Sequence, residues 1–499
     1  MKRGRHWIVL QLLTVAVVTT TAAGRQVAPA GETWHLVDQH WYTIHMGGQK
    51  AGWLMQTVES DGSRYRTGSE SHLTIGRGPA VIDVEIRSSF VETHSGEPVM
   101  MRLVQKMAME PVDAEWRFTP DHVVHTWRQG GRETIEERPL PATPWLTPMA
   151  VRRYWVNRRD AGAQEITYNT LDPQSGLDTV SFTHESLGRE TFELAGERLE
   201  VTIWKTTTNI LPMAIIQKYA DRGHLVYEEV RVPALGTMVT RLSTKDEALA
   251  PGEAPELLIK TFVTPSRPIR RPQAARKATL RLRAGEGALP QLPTAGAQRV
   301  ERGGDGTSTL YIDIDRNQDA SDEESGDQAY LASSAMIGAA DEAVLALVVK
   351  ALSGAGDDPG DRAEAMRAFV HTYVSEKGLD TAFATASETA KTRAGDCSEH
   401  AVLLCAMLRA DQIPARVAIG LIYAESFLQR RDIFGWHMWT QGLIDGRWVD
   451  LDATLPRRYH AGHVLTATAS FSDGGLGAEL ASMLQLIGNL EIDVVEVEY

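Results

Sequence analysis

Arg393–Tyr423, RAGDCSEHAVLLCAMLRADQIPARVAIGLIY, and Gly435–Thr454, GWHMWTQGLIDGRWVDLDAT, encode a helix, a strand and a hairpin in quick succession. Asp396 is an N-cap residue, and Glu399 three positions later gives the capping-box spacing. The pattern predicts a helix from Cys397 to about Ala410, with Ala401, Leu404, Cys405 and Leu408 on one apolar face. Cys397 then sits in the first turn, at the positive end of the helix dipole. There a thiolate is favoured, and the thiol pKa is expected below the free value of ~8.5. Its own backbone N–H is among the free donors of that turn and can hold a developing oxyanion. Cys405, two turns deeper, reads as a small buried hydrophobe. On one helix the two Cα atoms lie ~12 Å apart, beyond the ~7 Å limit of a disulfide, so both thiols are expected free. His400 points away from the reacting side of Cys397 and reads as a surface residue.

After Ile413-Pro414, the run RVAIGLIY reads as a strand, and Asp445-Gly446 is a favoured two-residue hairpin turn. That turn sets Trp439 opposite Asp452 and His437 opposite Thr454. His437, Trp439 and Gln441 share one face with Asp450 and Asp452. His437 and Asp452 become diagonal neighbours within hydrogen-bond reach, while Asp450 lies a step farther away. Cys397 as nucleophile, His437 as proton shuttle and Asp452 as orienting acid form an acyl-transfer set. The same three residues could in principle hold a metal, but the absence of any close-spaced ligand pair argues against it. No cofactor is called for.

These stretches resemble the transglutaminase-like superfamily, as does, more loosely, the closing GNLEIDVVEVEY. The resemblance spans 331–499 and implies a papain-like α+β core in which Cys397, His437 and Asp452 take the triad roles. Gln441 departs from it, standing where the family often carries Glu. No side-chain oxyanion donor is identifiable upstream of Cys397. The implied activity is that of a thiol enzyme on peptide or amide bonds, either a cysteine peptidase or amidase or a protein-glutamine acyltransferase. Its partner would be a peptide or protein, including cell-wall peptide. The rival reading is a non-catalytic binding or structural module with a vestigial triad.

The rest of the chain says where this chemistry is set. Lys2, Arg3 and Arg5, the mostly apolar run Trp7–Val18 and Thr21-Ala22-Ala23 read as a signal peptide over 1–23, cut before Gly24. The twelve residues of this run are too few for a bilayer span, which needs ~20, and no later segment is long enough. The expectation is an exported protein, periplasmic or secreted. The net charge is −14, or −17 once those three cations are removed, which argues against nucleic acid as partner. At 499 residues several domains are expected. Short alternating runs such as HWYTIHMG and VIDVEIRSSFVETH make 31–247 a β-rich domain, interrupted by one helix in PWLTPMAVRRYWVNRR. Seven of the twelve tryptophans fall between Trp34 and Trp155, as sheet packing or as a binding face. A Pro/Ala/Arg-rich linker over 248–276 and a small β segment over 277–330 lead to the helical start of the 331–499 domain. In 313–324, Asp313, Asp315, Asn317, Asp319, Ser321 and Glu324 have EF-hand-like spacing. Gln318 replaces the turn glycine, so a solvated acidic loop is the better reading.

Overall fold

The computed structural model describes residues 33–499 apart from 107–110, 130–131, 212, 222, 233–234, 335, 380–383 and 472–484. The expected export segment 1–23 lies outside the described residues. Among the described residues no helix is long and apolar enough to cross a membrane. The chain divides into two compact units. One holds the described residues up to 75, 83–106 and 111–255; the other holds 76–82 and 256–499.

The first unit is built on a single 14-stranded sheet. Its first run comprises β1 (His35–Met46), β2 (Gln49–Ser60), β3 (Arg64–Arg77), β4 (Ala80–Thr93), β5 (Pro98–Lys106), β6 (Val112–Phe118), β7 (His122–Gln129) and β8 (Arg132–Pro139). After helix α1 (Pro148–Asp160), the second run comprises β9 (Glu165–Leu171), β10 (Thr179–Leu194), β11 (Glu197–Thr208), β12 (Ile215–Ala220), β13 (Leu225–Val232) and β14 (Gly236–Ser243), followed by α2 (Lys245–Leu249). Within each run every strand lies beside the next, and β14 joins the runs by pairing antiparallel with β1. The alternation legible in the sequence is the reason: Ala80, Ile82, Val84 and Ile86 are buried, and the residues between them are not. Helix α1 forms where PWLTPMAVRRYWVNRR predicts one. The buried Glu92 carboxylate accepts from Thr147 Oγ1 at 2.8 Å and Met149 N at 2.9 Å, satisfying its first turn. Trp155 is core against Tyr219 and Trp204, and Trp41 and Trp53 pack on each other, half-buried on the sheet.

The second unit has two four-stranded antiparallel sheets. Its elements are β15 (Lys277–Ala284), β16 (Gln298–Arg302), β17 (Ser308–Asp313), α3 (Asp322–Gly326), α4 (Glu342–Ala351), α5 (Pro359–Tyr373), α6 (Ala386–Thr392) and α7 (Cys397–Ala410). They continue with β18 (Ala415–Phe427), β19 (Arg430–Ile444), β20 (Arg447–Leu451), β21 (His463–Ala469) and β22 (Leu490–Glu498). The strand orders are β16-β17-β15-β22 and β20-β19-β18-β21. The end of the chain thus pairs with β15, so 277–330 and 331–499 share a sheet. They also share a core, in which Leu280, Leu310 and Ile492 join Phe434, Trp439 and Leu465. Val263, Ile269 and Ala275, from the Pro/Arg-rich stretch, lie in the same core. The expected class holds in architecture: a β-rich N-terminal region followed by an α+β region.

Helix α7 is buried from Ser398 through Arg409, as befits a helix with apolar side chains on every side. Its one deep cation, Arg409, donates to the carbonyls of Ala415 and Ala332 at 2.8–3.0 Å. Gly420 on β18 lies opposite His437 on β19, at a register shift in the pairing with β21. A Cβ there would stand 1.9 Å from the Val464 carbonyl oxygen, so only glycine lets β21 close on β18. Leu404 is fully buried in α7. Leu404→Ala is expected to cost about 2–5 kcal/mol in urea unfolding; a loss well under that range would mean that α7 does not pack as a buried helix.

Candidate active site

Cys397 opens α7 behind a capping box made as the spacing predicts. The Asp396 carboxylate accepts from Ser398 N at 2.9 Å, and Glu399 accepts from Asp396 N at 2.8 Å. Gly395 has φ +146, and a Cβ on it would meet the Glu399 side chain at 2.3 Å, so the tight entry to the helix requires glycine. Arg77, at the hairpin tip that belongs to this unit, donates to Asp396 Oδ2 at 2.6 Å. Burial opposes the Asp396 charge, but Arg77 and the Ser398 donors hold its carboxyl below the ordinary range.

Glu399 is different. Burial, and next the charge of Asp396, push it up to about 8. It therefore binds its proton more tightly folded than unfolded. The stability this contributes is complete below pH 4.5 and is lost as pH rises towards about 8. Glu399→Gln stays neutral, and is expected to remove a stability slope of a few kcal/mol across that window. Urea unfolding at both ends checks it; a variant curve parallel to the wild type's would contradict it.

The Cys397 thiol departs from its expectation. Burial and the neighbouring Asp396 charge raise its pKa, outweighing the hydrogen bond and charge of His437 and the Met438 N–H. The helix dipole that favours a thiolate is countered by the carboxylate that caps the same helix. Thiol reactivity is expected to climb through neutral pH rather than to be complete there. Cys405 is fully buried, and both cysteines are free, as read.

The hairpin has the predicted register: Gln441 pairs with Asp450 and Ile444 with Arg447 around Asp445-Gly446. Asp452 follows directly after β20, and its Oδ2 lies 2.8 Å from His437 Nε2. Its Oδ1 accepts from Thr454 N at 2.8 Å. With Nε2 engaged by Asp452, the other ring nitrogen of His437 is the one left to interact with Cys397. Burial works against a charged imidazole, but Asp452, and then Cys397, push His437 up to about 10. Asp452 itself is held well below the carboxylate range, against burial, by His437 and its other donors.

Asp450 has other work. Its Oδ1 accepts from Trp439 Nε1 at 2.7 Å and Gln441 Nε2 at 2.8 Å, and its Oδ2 from Ala297 N at 2.8 Å. It thereby fixes the indole that stacks beside His437 at 6.0 Å. Gln441, the departure from the family pattern, passes the contact on: its Oε1 accepts from Arg416 Nε at 2.9 Å.

His400 is not a surface residue. It is 1% exposed, and its Nδ1 donates to the Asp396 carbonyl at 2.6 Å, because the helices packed on α7 cover the side that looked free. The acidic loop does not gather round a point. Asp313 lies near Lys277, Asp315 and Asp319 bind Arg276 and Arg447, and Glu324 binds Arg416 while capping α3 through Ser321. Of the described residues, His437, Asp452 and His463 have ligand atoms within 4.8 Å of one another. Their facing nitrogens are already hydrogen-bonded to a single Asp452 oxygen, and Cys397 is not in the group. For the oxyanion, the Cys397 N–H remains the available donor. Residues 380–383, just upstream, lie outside the described residues.

Residues 347–453 match the family model of the transglutaminase-like superfamily. The window opens within α4 and includes Cys397, His437 and Asp452. No curated protein matches the chain. Among solved structures, a candidate cysteine protease from Cytophaga hutchinsonii is similar at 17% identity and a TM-score of 0.29, over 45% of this chain and 88% of that one. A candidate protease from Parabacteroides distasonis is similar at 12% identity and a TM-score of 0.17, over 74% of this chain and 64% of that one. Scores this low carry no argument about shared fold or activity.

Proposed function

We propose that the transglutaminase-like domain of this chain is a thiol enzyme that cleaves peptide or amide bonds through Cys397, His437 and Asp452. One observation carries the reading: the thiol at the head of α7 interacts with His437, whose Nε2 is 2.8 Å from a fully buried carboxylate. In the reactive form of the Cys397–His437 pair the proton rests on the imidazole; the Cys397 thiolate attacks the carbonyl carbon, and the Cys397 N–H faces the oxyanion. The imidazolium, steadied by Asp452, then protonates the leaving amine, and a thioester remains on Cys397. His437 next takes a proton from water, and hydrolysis frees the acid. An amine in place of water would give acyl transfer by the same steps.

The signal-like 1–23 segment supports an exported setting, with extracytoplasmic peptides, including cell-wall peptides, as the substrate class. N-terminal sequencing of the secreted or periplasmic protein is expected to begin at Gly24. Mass-spectrometric profiling of a peptide library is expected to reveal new termini. Joined peptides would shift the reading to acyl transfer. Neither product, from protein with an alkylatable Cys397, would favour the non-catalytic module.

A further inference from the structure

The Asp452 carboxylate serves two imidazoles, and only one of them belongs to the set above. His463, the first residue of β21, is fully buried, with Nε2 3.1 Å from Asp452 Oδ2 and Nδ1 2.8 Å from the His460 carbonyl oxygen. A peptide carbonyl can only accept, so Nδ1 carries a hydrogen. Asp452 takes a further donor from Thr454 N and another from His437, and a carboxylate so surrounded is ionised and only accepts. Nε2 must then carry a hydrogen as well. The ring is clamped in this orientation: Tyr459 stacks on it at 4.1 Å, and Trp439 meets it edge-on at 5.2 Å.

We propose that His463 is a positioning residue of the acyl-transfer site, an imidazole that donates from both ring nitrogens, anchors Asp452 and sets the working pH of the Cys397–His437 pair. The inference rests on the assignment of Cys397, His437 and Asp452 to the reaction. An Asp452 carboxylate alone would bind the His437 proton more strongly. A second cation, 5.7 Å from His437 between ring centres, opposes that pull and also favours the Cys397 thiolate. The titratable groups facing His463 are Asp452, His437, His460, Tyr459 and, across Trp439, Asp450; Lys377 and His400 also feel the Asp452 charge. His460 does not compete for the positive charge. Burial, and next the His463 charge, push it down to about 3, and its Nδ1 accepts from Gly462 N at 3.0 Å. The chemistry is reached by long-range pairing, since Gly420 is what allows β21 to approach β18.

The test is the pH dependence of iodoacetamide alkylation at Cys397 in the full chain, for wild type and His463→Gln. Glutamine can still donate to Asp452 but carries no charge. Its loss is expected to move the alkylation midpoint up by about one to two pH units, with native circular dichroism retained. A folded variant with an unshifted midpoint would overturn the proposal and leave His463 a packing residue. In case the variant does not fold, wild-type protein with ¹⁵N-labelled histidine gives a second reading. In the folded protein His463 is expected to show two protonated ring nitrogens, and one unprotonated nitrogen would overturn the proposal. Neither measurement uses a substrate. If no peptide is ever turned over, the reaction assignment fails while the His463 result still stands or falls by itself.

Discussion

Cys397→Ala is expected to abolish turnover, with a loss on the order of 10⁶-fold, as when the nucleophile of a comparable triad is removed. The thiol is the atom that forms the thioester, and nothing else at the head of α7 can replace it. Ser398 is spent on Asp396 and Glu399, to which its hydroxyl donates at 2.8 and 3.1 Å. Stability is expected to change little, because Cys397 is only partly buried and Asp396 and Glu399 retain the cap. Initial rates on any cleaved peptide, with thermal unfolding in parallel, check this. Residual activity within a hundredfold of wild type would remove Cys397 from the chemistry. Cys405→Ala is the control: a change in packing without loss of turnover beyond its effect on folding.

Asp452→Asn is expected to cost about 10⁴-fold in turnover, because asparagine no longer holds the imidazole in the tautomer that faces the nucleophile. Asp450→Asn is expected to cost less than about 10-fold. Asp450 acts on His437 only through the Trp439 indole, and burial already raises its pKa towards the neutral form that asparagine imitates. The two variants stand two residues apart on one hairpin, so they separate orientation of the base from general disturbance of the sheet. Both remove a buried acceptor, and both are expected to lower the unfolding temperature. Comparison of kcat with stability for the pair is therefore the discriminating measurement. Greater damage to turnover from Asp450→Asn would transfer the orienting role to the wrong side of Trp439 and refute the register argument.

That register was legible because it depends on local rules. Asp445-Gly446 specifies a tight turn, the turn specifies which side chains face one another, and the observed Gln441–Asp450 pair follows. The capping box at Asp396 and Glu399 was legible for the same reason. What could not be read locally is what other parts of the chain bring to the site. Arg77 reaches Asp396 from a hairpin tip some 300 residues earlier, and the balance of charge around Cys397 depends on that pair. The helix dipole alone would lower the thiol pKa, but the carboxylate that caps the helix opposes it. The burial of His400 is decided by the elements packed on α7, not by its place along the helix. For His463 the local signal is only the pair His460 and His463 just before an alternating run, and it is the β18–β21 pairing that carries that run to Asp452.

The central claim is that Cys397, activated by His437, forms a covalent acyl intermediate. A peptidyl chloromethyl ketone, followed by intact-mass and peptide-mapping spectrometry, tests it most directly. The account predicts one adduct per chain, located on Cys397, absent from Cys397→Ala and formed far more slowly in His437→Ala. An adduct on Cys405, or equal labelling with and without His437, would contradict it.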